Sequence, residues 1–382
     1  MIIRKCCQNR SIPGAAFNSS TTEYDHSSPD FTRTGHTVVA VFLGLIFILG
    51  FINNLMVLLM FLKFKAIRTP INLILLNISV SDFLVCVFGT PFSFAASIEG
   101  RWLIGYYGCK WYGFANSLFG IASLISLSVL SYERYVTVIN STKVDLSNYR
   151  KAWLCIGGTW FYSLLWTIPP LFGWSNYGPE GPGTTCSVEW TAKSASSISY
   201  IVCLFIFCLI LPLLLMVYCY GSIVKAIMGQ VAKMNQTMAQ KREHRILIMV
   251  ICMVTCYLLC WMPYGIVALI ATFGSRGLIS PTVSIIPSIL AKSSTVVNPV
   301  IYVLLNKQFY RCFFALLKCG TLSQTTDTNN YKLSTNFLPS RMHCSPLTGT
   351  VSRRSERFTE NNLKSLSDKH ICKLTIVVSY QE

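Results

Sequence analysis

Residues 282–305 read TVSIIPSILAKSSTVVNPVIYVLL, an apolar run with a single charged side chain, Lys292. A run of that length crosses a hydrocarbon core about 30 Å thick, which takes roughly 20 helical residues. Six further apolar stretches precede it, at 37–62, 72–98, 106–139, 153–173, 198–226 and 244–271. In lipid every backbone polar group must be satisfied within the segment, which a helix achieves and an isolated strand does not. The runs are also too long and too evenly apolar for barrel strands, whose short segments alternate. The pattern predicts an all-α membrane protein, a seven-transmembrane helix bundle.

Composition agrees. Of 382 residues, 52% are hydrophobic and only 12% charged, about half the charged fraction of soluble domains. The net charge of +17 would suggest nucleic acid in a soluble protein. Here the bases lie in short loops and the C-terminal tail beside apolar runs, a distribution suited to an anionic membrane surface. No zinc-like Cys/His cluster and no phosphate-cradling glycine loop accompanies them. Nucleic acid is therefore not an expected partner, and the lipid bilayer is.

Loop charge sets the expected orientation. The first loop carries Lys63, Lys65 and Arg68, the third Lys143, Arg150 and Lys151, the fifth Lys225, Lys233, Lys241, Arg242 and Arg245. The loops between them hold Arg101, Lys193 and Arg276 against Glu99, Glu180 and Glu189. Odd loops are read as cytoplasmic, which places the N-terminus outside a plasma membrane and the C-terminus inside. The expected divisions are an extracellular tail at 1–36, the bundle at 37–305, an amphipathic surface helix at 306–319 and a disordered cytoplasmic tail at 320–382. The first tail is polar, lacks the apolar core of a signal peptide, and carries the sequon Asn18-Ser19-Ser20. In the surface helix, apolar and basic residues separate onto two faces. Cys319 at its end reads equally as a palmitoylation site or a plain thiol. The last tail is rich in Ser and Thr, as in Ser352-Arg353-Arg354-Ser355, and is read as a phosphorylation substrate. Its apolar run at 371–380 is too short to span.

Of 16 cysteines, most fall inside apolar runs as small buried hydrophobes. Cys109, opening the third helix, and Cys186, in the second outer loop, both face the oxidising side, where a bridge is expected. It would tie the loop over the mouth of the bundle. Lys292 costs about 2.5–3.5 kcal/mol near the bilayer centre even on the lenient scale, so a counter-charge or a covalent partner must offset it. A buried lysine amine is available to attack a carbonyl, and an aldehyde would form a Schiff base there. A protonated Schiff base needs a negative partner. Asp82, Glu99, Glu180 and Glu189 are the candidates; Glu180, six residues before Cys186, is the choice because the bridge would press it toward the bundle. Trp261 and Tyr264 lie one turn apart around Pro263, which kinks the sixth helix, and read as a pocket floor. Pro212 and Pro299 weaken the fifth and seventh helices similarly. At the inner end of the third helix, Arg134 of Glu133-Arg134-Tyr135 can pair with Glu133 and, across the bundle, with Glu243. Breaking such pairs would release the sixth helix, a bistable element biased by ligand.

Taken in order, Asn54, Asp82, Glu133-Arg134-Tyr135, Trp160, Pro212, Trp261-Met262-Pro263 and Asn298-Pro299-Val300-Ile301-Tyr302 resemble the rhodopsin-like receptor superfamily over about 37–320. Ala291-Lys292-Ser293 before Pro299 resembles the retinal-binding lysine of opsins, Pro179-Glu180-Gly181 their loop plug, and Asn306-Lys307-Gln308 their G-protein contact. Stretches such as Asn77-Ile78-Ser79-Val80-Ser81-Asp82 and Gly178-Pro179-Glu180-Gly181-Pro182-Gly183 resemble the encephalopsin and teleost multiple-tissue opsin group. The resemblance implies a non-visual photoreceptor coupled to a heterotrimeric G protein of the inhibitory type. A receptor kinase and arrestin would act on the tail. It also implies a polar core at Asn54 and Asp82 of the sodium-binding kind. Visual pigments carry Glu three residues after the third-helix Cys; Tyr112 stands here. Tyr is neutral near pH 7, which leaves Glu180 as counter-ion, as in bistable opsins, and puts Tyr112 in the retinal pocket.

The mechanism expected from this reading is light-driven isomerisation of 11-cis to all-trans retinal on Lys292, strain against Trp261 and Tyr264, and outward motion of the sixth helix. No enzymatic activity is expected. Two other readings share parts of the sequence. A retinal photoisomerase would use Lys292 but has no need of Glu133-Arg134-Tyr135 or Asn306-Lys307-Gln308. A receptor for a diffusible ligand has no use for Lys292.

Overall fold

The computed structural model describes residues 31–139, 149–231, 238–275 and 277–321, all within one compact unit. Among the described residues, nine α-helices build seven spans and a tenth follows them. The first span is α1 (Arg33–Lys63); the second is α2 (Pro70–Phe88) followed by α3 (Thr90–Glu99); the third is α4 (Gly105–Ile139) and the fourth α5 (Tyr149–Thr167). The fifth joins α6 (Ala195–Phe205) to α7 (Leu211–Val231), the sixth is α8 (Met238–Phe273) and the seventh α9 (Pro281–Leu305). The short α10 (Lys307–Thr321) follows. Six spans are long and apolar enough to cross a membrane by composition alone. The fourth, shorter and starting Tyr149-Arg150-Lys151, completes the bundle by packing against α4 and α2.

Local sequence explains most helix ends. Thr32, Thr69, Ser194 and Ser280 each accept a backbone N–H three residues on, at 3.1, 3.3, 3.1 and 3.3 Å, relieving an orphan donor of the first turn. Pro70 and Pro281 follow two of these caps, at a position where a missing N–H costs nothing. Pro169-Pro170 ends α5 earlier than the apolar run predicts, and the chain continues as a 3₁₀ turn at Pro169–Phe172. Two breaks are unannounced by hydropathy. The second span interrupts at Gly89, ahead of Pro91, where a Cβ would collide with Asn116 Oδ1. The fifth passes through a π-helical turn, Ile206–Ile210, ahead of Pro212; such turns re-aim side chains within a helix.

Lipid is as apolar as leucine, so packing and polar contacts rather than the hydrophobic effect hold membrane helices together. Asn54 Nδ2 donates to Thr295 O at 2.9 Å, linking α1 to α9. Asp82 accepts from Ser123 Oγ at 3.1 Å and Asn298 Nδ2 at 2.8 Å, joining α2, α4 and α9. Asn77 receives Trp160 Nε1 at 2.9 Å and donates to Ser126 at 2.8 Å, joining α2, α5 and α4. At the far end of α9, Asn306 Oδ1 accepts from Gln308 N at 3.0 Å and starts α10. Phe309 anchors that helix, fully buried between Phe61 and Tyr302 at ring distances of 5.7 and 5.9 Å, while Lys307, Arg311 and Lys318 lie exposed.

The other end is closed by an antiparallel hairpin, β1 (Tyr177–Glu180) and β2 (Thr185–Val188). Cys109 of α4 and Cys186 of β2 form a disulfide. Gly113 lets the hairpin lie on α4, since a Cβ there would sit 2.7 Å from Tyr177. Tyr177 donates to Thr167 O at 2.8 Å. Beyond the hairpin, Lys193 Nζ donates to Ala271 O, Thr272 O and Gly274 O at 2.9, 2.6 and 2.8 Å. A cation on the last carbonyls of a helix satisfies orphan acceptors and opposes the dipole. Lys193→Met is expected to cost about 1–2 kcal/mol, a drop of a few degrees in the melting temperature of the purified protein. An unchanged melting temperature would show that water replaces the ammonium without loss.

Candidate functional site

Beneath the hairpin lies a cavity with about 180 Å³ reachable by the centre of a water-sized sphere, room for on the order of a dozen waters. Its wall is mostly apolar and comes from α4, β2, the fifth span, α8 and α9. Lys292 enters from α9 and Glu180 from the hairpin, so a lysine and a carboxylate from distant parts of the chain line one cavity. Strand register explains the placement of Glu180. Pro179 pairs with Cys186 and Glu180 with Thr185, so the disulfide on Cys186 draws the neighbouring pair down onto the bundle. The chain then turns back through Gly181 and Gly183, both at positive φ (60° and 77°), which glycine adopts without a steric penalty.

Glu180 is half-buried. Tyr264, Ser187 and Trp190 line the cavity with it, Trp190 Nε1 donating to Tyr264 Oη at 3.0 Å and Ser187 Oγ to Val188 O at 3.1 Å. Burial pushes the Glu180 carboxyl above the ordinary carboxylate range, and the Lys292 charge pulls back against that rise. This is what loss of water does to an acid, moderated by a nearby cation. Lys292 Nζ stands 5.9 Å from the centroid of the Tyr112 ring, within the range of a cation–π contact.

Trp261 and Tyr264 both line the cavity, as their spacing predicts. Their rings meet edge to face at 6.1 Å, and Tyr257 stacks on Trp261 at 5.6 Å. Trp261 Nε1 donates to Ser294 Oγ at 3.1 Å, tying the α8 aromatic to α9 two residues beyond Lys292. Gly120 gives that indole room: a Cβ there would come within 3.2 Å of its edge. Tyr112 departs from expectation. It is fully buried, but outside the cavity wall. Its hydroxyl is taken up by Ser93 and, at 3.2 Å, by Thr185 of β2, so it supports Lys292 from behind.

The remaining carboxylates separate. Asp82 lines the same cavity, with each oxygen already bonded, to Ser123 and to Asn298. Glu99 is exposed, and Glu189 lines a separate surface cleft with Lys193. Trp190, Ser187, Asn116 and the π-turn residues Cys208 and Leu209 also line the cavity, and none was singled out from sequence. Trp190 and Ser187 belong to the segment between the fourth and fifth spans, whose composition carries no sign of burial.

At the opposite end, Glu133 extends to Lys151 of α5, Oε1 to Nζ at 2.9 Å, a partner that the sequence did not single out. Neighbouring residues on a helix point about 100° apart, so Glu133 reaches α5 while Arg134 turns inward and is buried. Tyr135 Oη lies 3.5 Å from Tyr218 Oη. Asn18, the side chains of Glu243 and Cys319, and the Ser/Thr-rich tail lie outside the described residues.

Residues 53–302 match the model of the 7 transmembrane receptor (rhodopsin family). Mouse opsin-3 is 38% identical over 302 residues, covering 76% of this chain and 75% of that protein. The chain belongs to the opsins, within the rhodopsin family of seven-transmembrane receptors. The human visual pigment-like receptor peropsin is 35% identical over 313 residues, covering 80% of this opsin and 91% of its relative. The crystal structure of squid rhodopsin superimposes with a TM-score of 0.70 at 28% identity, over 78% of this opsin and 89% of the squid chain. Pinopsins, melanopsins and a parapinopsin match at similar levels, so several opsin subtypes are related to it and none stands apart. It is a multi-pass membrane protein.

Proposed function

We propose that this opsin is a light-activated, G-protein-coupled receptor whose chromophore is carried on Lys292, with Glu180 as the counter-charge. One observation carries the reading: a lysine amine and a loop carboxylate line a single, largely apolar cavity together with Trp261. The residues fit a retinal: an amine able to condense with an aldehyde, an apolar wall for a polyene, and Glu180 to balance one positive charge, the other acid, Asp82, being bonded to Ser123 and Asn298. Lys292 would hold the retinal and Glu180 would balance its charge; the group would supply light absorption and a light-driven 11-cis to all-trans change of shape.

The chain's own residues convert that shape change into motion. Trp261 and Tyr264 take the strain on α8, beside Pro263, which leaves the helix short of one backbone hydrogen bond. The Trp261 to Ser294 bond couples α8 to α9. Moving a population from 1:99 to 99:1 takes about 5.5 kcal/mol of differential interaction, well below the energy of a visible photon. Arg134, Glu243 and the Asn298-Pro299 segment then form the switch, and Asn306, Lys307 and Gln308 the receptor side of the G-protein contact. The disulfide end faces outward and the basic end inward, toward an inhibitory-type G protein, with kinase and arrestin acting on the tail. The identity with opsin-3 and the loop around Glu180 favour the encephalopsin and multiple-tissue group. Tyr112 cannot replace Glu180 as counter-charge, which favours a pigment that keeps its retinal and is reset by a second photon.

Nucleotide exchange on an inhibitory-type heterotrimer tests this, with purified protein reconstituted with 11-cis retinal and assayed before and after a flash. Exchange is expected to rise at least roughly tenfold in light and to fall after a second flash at the wavelength of the product; such a step is about 1.4 kcal/mol of coupling. Light-driven conversion of added retinal with no exchange would instead make the protein a photoisomerase.

A further inference from the structure

The segment from Cys186 to Lys193 forms part of the cavity wall. Cys186, Ser187, Val188 and Trp190 line the cavity, and the fifth span begins only at Ala195. One end of the segment is fixed covalently, because Cys186 is bridged to Cys109 of α4. The other end folds back in two tight turns, Trp190 N donating to Val188 O at 2.9 Å and Ala192 N to Glu189 O at 3.4 Å. These turns bring Lys193 to the end of α8. Ser194 then accepts from Ser197 N at 3.1 Å and starts α6.

Lys193 Nζ donates to Ala271 O, Thr272 O and Gly274 O. An ammonium has three protons and no lone pair, so all of its donors are spent at the end of α8. A helix leaves its last carbonyls without partners, and an ionised donor bonds them more strongly than a neutral one. The same contact joins the start of the fifth span to the end of the sixth. A second bond from the segment to α8, Trp190 Nε1 to Tyr264 Oη at 3.0 Å, lies at the cavity wall itself.

The two ends of the segment differ in kind. The disulfide is covalent, whereas the ammonium contact is exchangeable. Lys193 borders a surface cleft lined also by Glu189, Thr191 and Ser275, from which water competes for the same carbonyls. Local opening starts where the least is lost, here at Lys193. Once Lys193 lets go, Trp190 and its neighbours lift away from α8, and solvent reaches the cavity that Lys292 lines.

We propose that Lys193 is a clasp that holds this part of the cavity wall shut against α8, and so governs how fast water and small nucleophiles reach Lys292. The inference deepens the reading of Lys292 as the attachment point. It rests on that reading for its consequence, since the clasp itself concerns only access.

The experiment is reductive methylation of the full-length purified protein without retinal, using formaldehyde and cyanoborohydride. The initial rate at Lys292 is followed by mass spectrometry. Lys193→Met keeps the length of the side chain and loses every donor. It is expected to methylate Lys292 about tenfold faster than wild type. Lys193→Arg, whose guanidinium can donate to the same carbonyls, should return the rate to near that of wild type. An unchanged rate in Lys193→Met would overturn the proposal, as would a rise that Lys193→Arg does not reverse. A residue that only capped α8 would change local order alone. Faster hydrogen exchange at residues 271–274 with Lys292 methylation unchanged would therefore also count against the clasp. If Lys193→Met does not fold, Lys193→Gln keeps two donors and should give an intermediate rate; a wild-type rate there would refute the clasp. In the pigment reconstituted with 11-cis retinal, dark bleaching by hydroxylamine should accelerate in Lys193→Met by the same factor. If neither wild type nor variant forms a pigment, the retinal reading fails while the methylation rates still decide the clasp.

Discussion

Replacing Lys292 by Ala is expected to abolish the visible absorption band of the reconstituted protein altogether. Lys292 is the one lysine in the cavity wall, and a covalent bond to an aldehyde requires a nucleophilic amine. Lys292→Arg makes the argument sharper. Guanidinium keeps the positive charge facing Glu180 but stays protonated at any physiological pH and offers no free amine. Both variants should lose the band completely, whereas a site that bound retinal only by charge and shape would keep part of it in Lys292→Arg. Folding is checked separately by the disulfide and by thermal melting. Removing a charge from the interior of a membrane bundle relieves a cost of a few kcal/mol rather than creating one, so Lys292→Ala is expected to melt no lower than the retinal-free wild type. A visible band surviving in either variant would move the attachment site elsewhere.

Glu180→Gln should have the second-largest effect, carrying the band from the visible into the near ultraviolet at neutral pH. Glutamine preserves size and most hydrogen bonding but removes the charge. A cation in a low-dielectric cavity without an anion is strongly disfavoured, and the nitrogen on Lys292 sheds its proton. Asp82→Asn is the control, because Asp82 lines the same cavity while its two oxygens are bonded to Ser123 and Asn298. Its replacement should leave the position of the band nearly unchanged and alter the signalling equilibrium instead. A Glu180→Gln pigment with the wild-type spectrum would refute the counter-charge assignment, and an Asp82→Asn pigment shifted to the ultraviolet would reassign it.

The bundle was legible in the sequence because each span must satisfy its own backbone in lipid, so length and hydropathy suffice without knowledge of any neighbour. Lys292 stood out for the same reason: a charge inside an apolar run needs no partner in view to be seen as costly. The spacing of Trp261 and Tyr264 placed both on the cavity side, since a helix repeats its face every three to four residues. Where the sequence fell short, the missing information lay in another segment. The close approach of Gly89 to Asn116 of α4 leaves no room for a Cβ. Tyr112 is absent from the cavity wall, and its hydroxyl is engaged by Ser93 and Thr185 from two other elements. The end of α5 came closer to sequence rules, since Pro169-Pro170 removes two successive backbone donors.

The sequence by itself determined that the chain is a helical membrane bundle, that one lysine lies within its apolar seventh span, and that Glu180 precedes a cysteine able to anchor it. These are properties of single segments, governed by local backbone chemistry and transfer from water to lipid. Only the tertiary structure decided which groups meet. The hairpin register and the disulfide carry Glu180 into the cavity that holds Lys292, Glu133 extends to Lys151 across to α5, and Trp190 reaches Tyr264 from 74 residues away along the chain. Hydrogen bonds and charges act over a few ångströms in space, and sequence separation says nothing about that distance until the helices have packed.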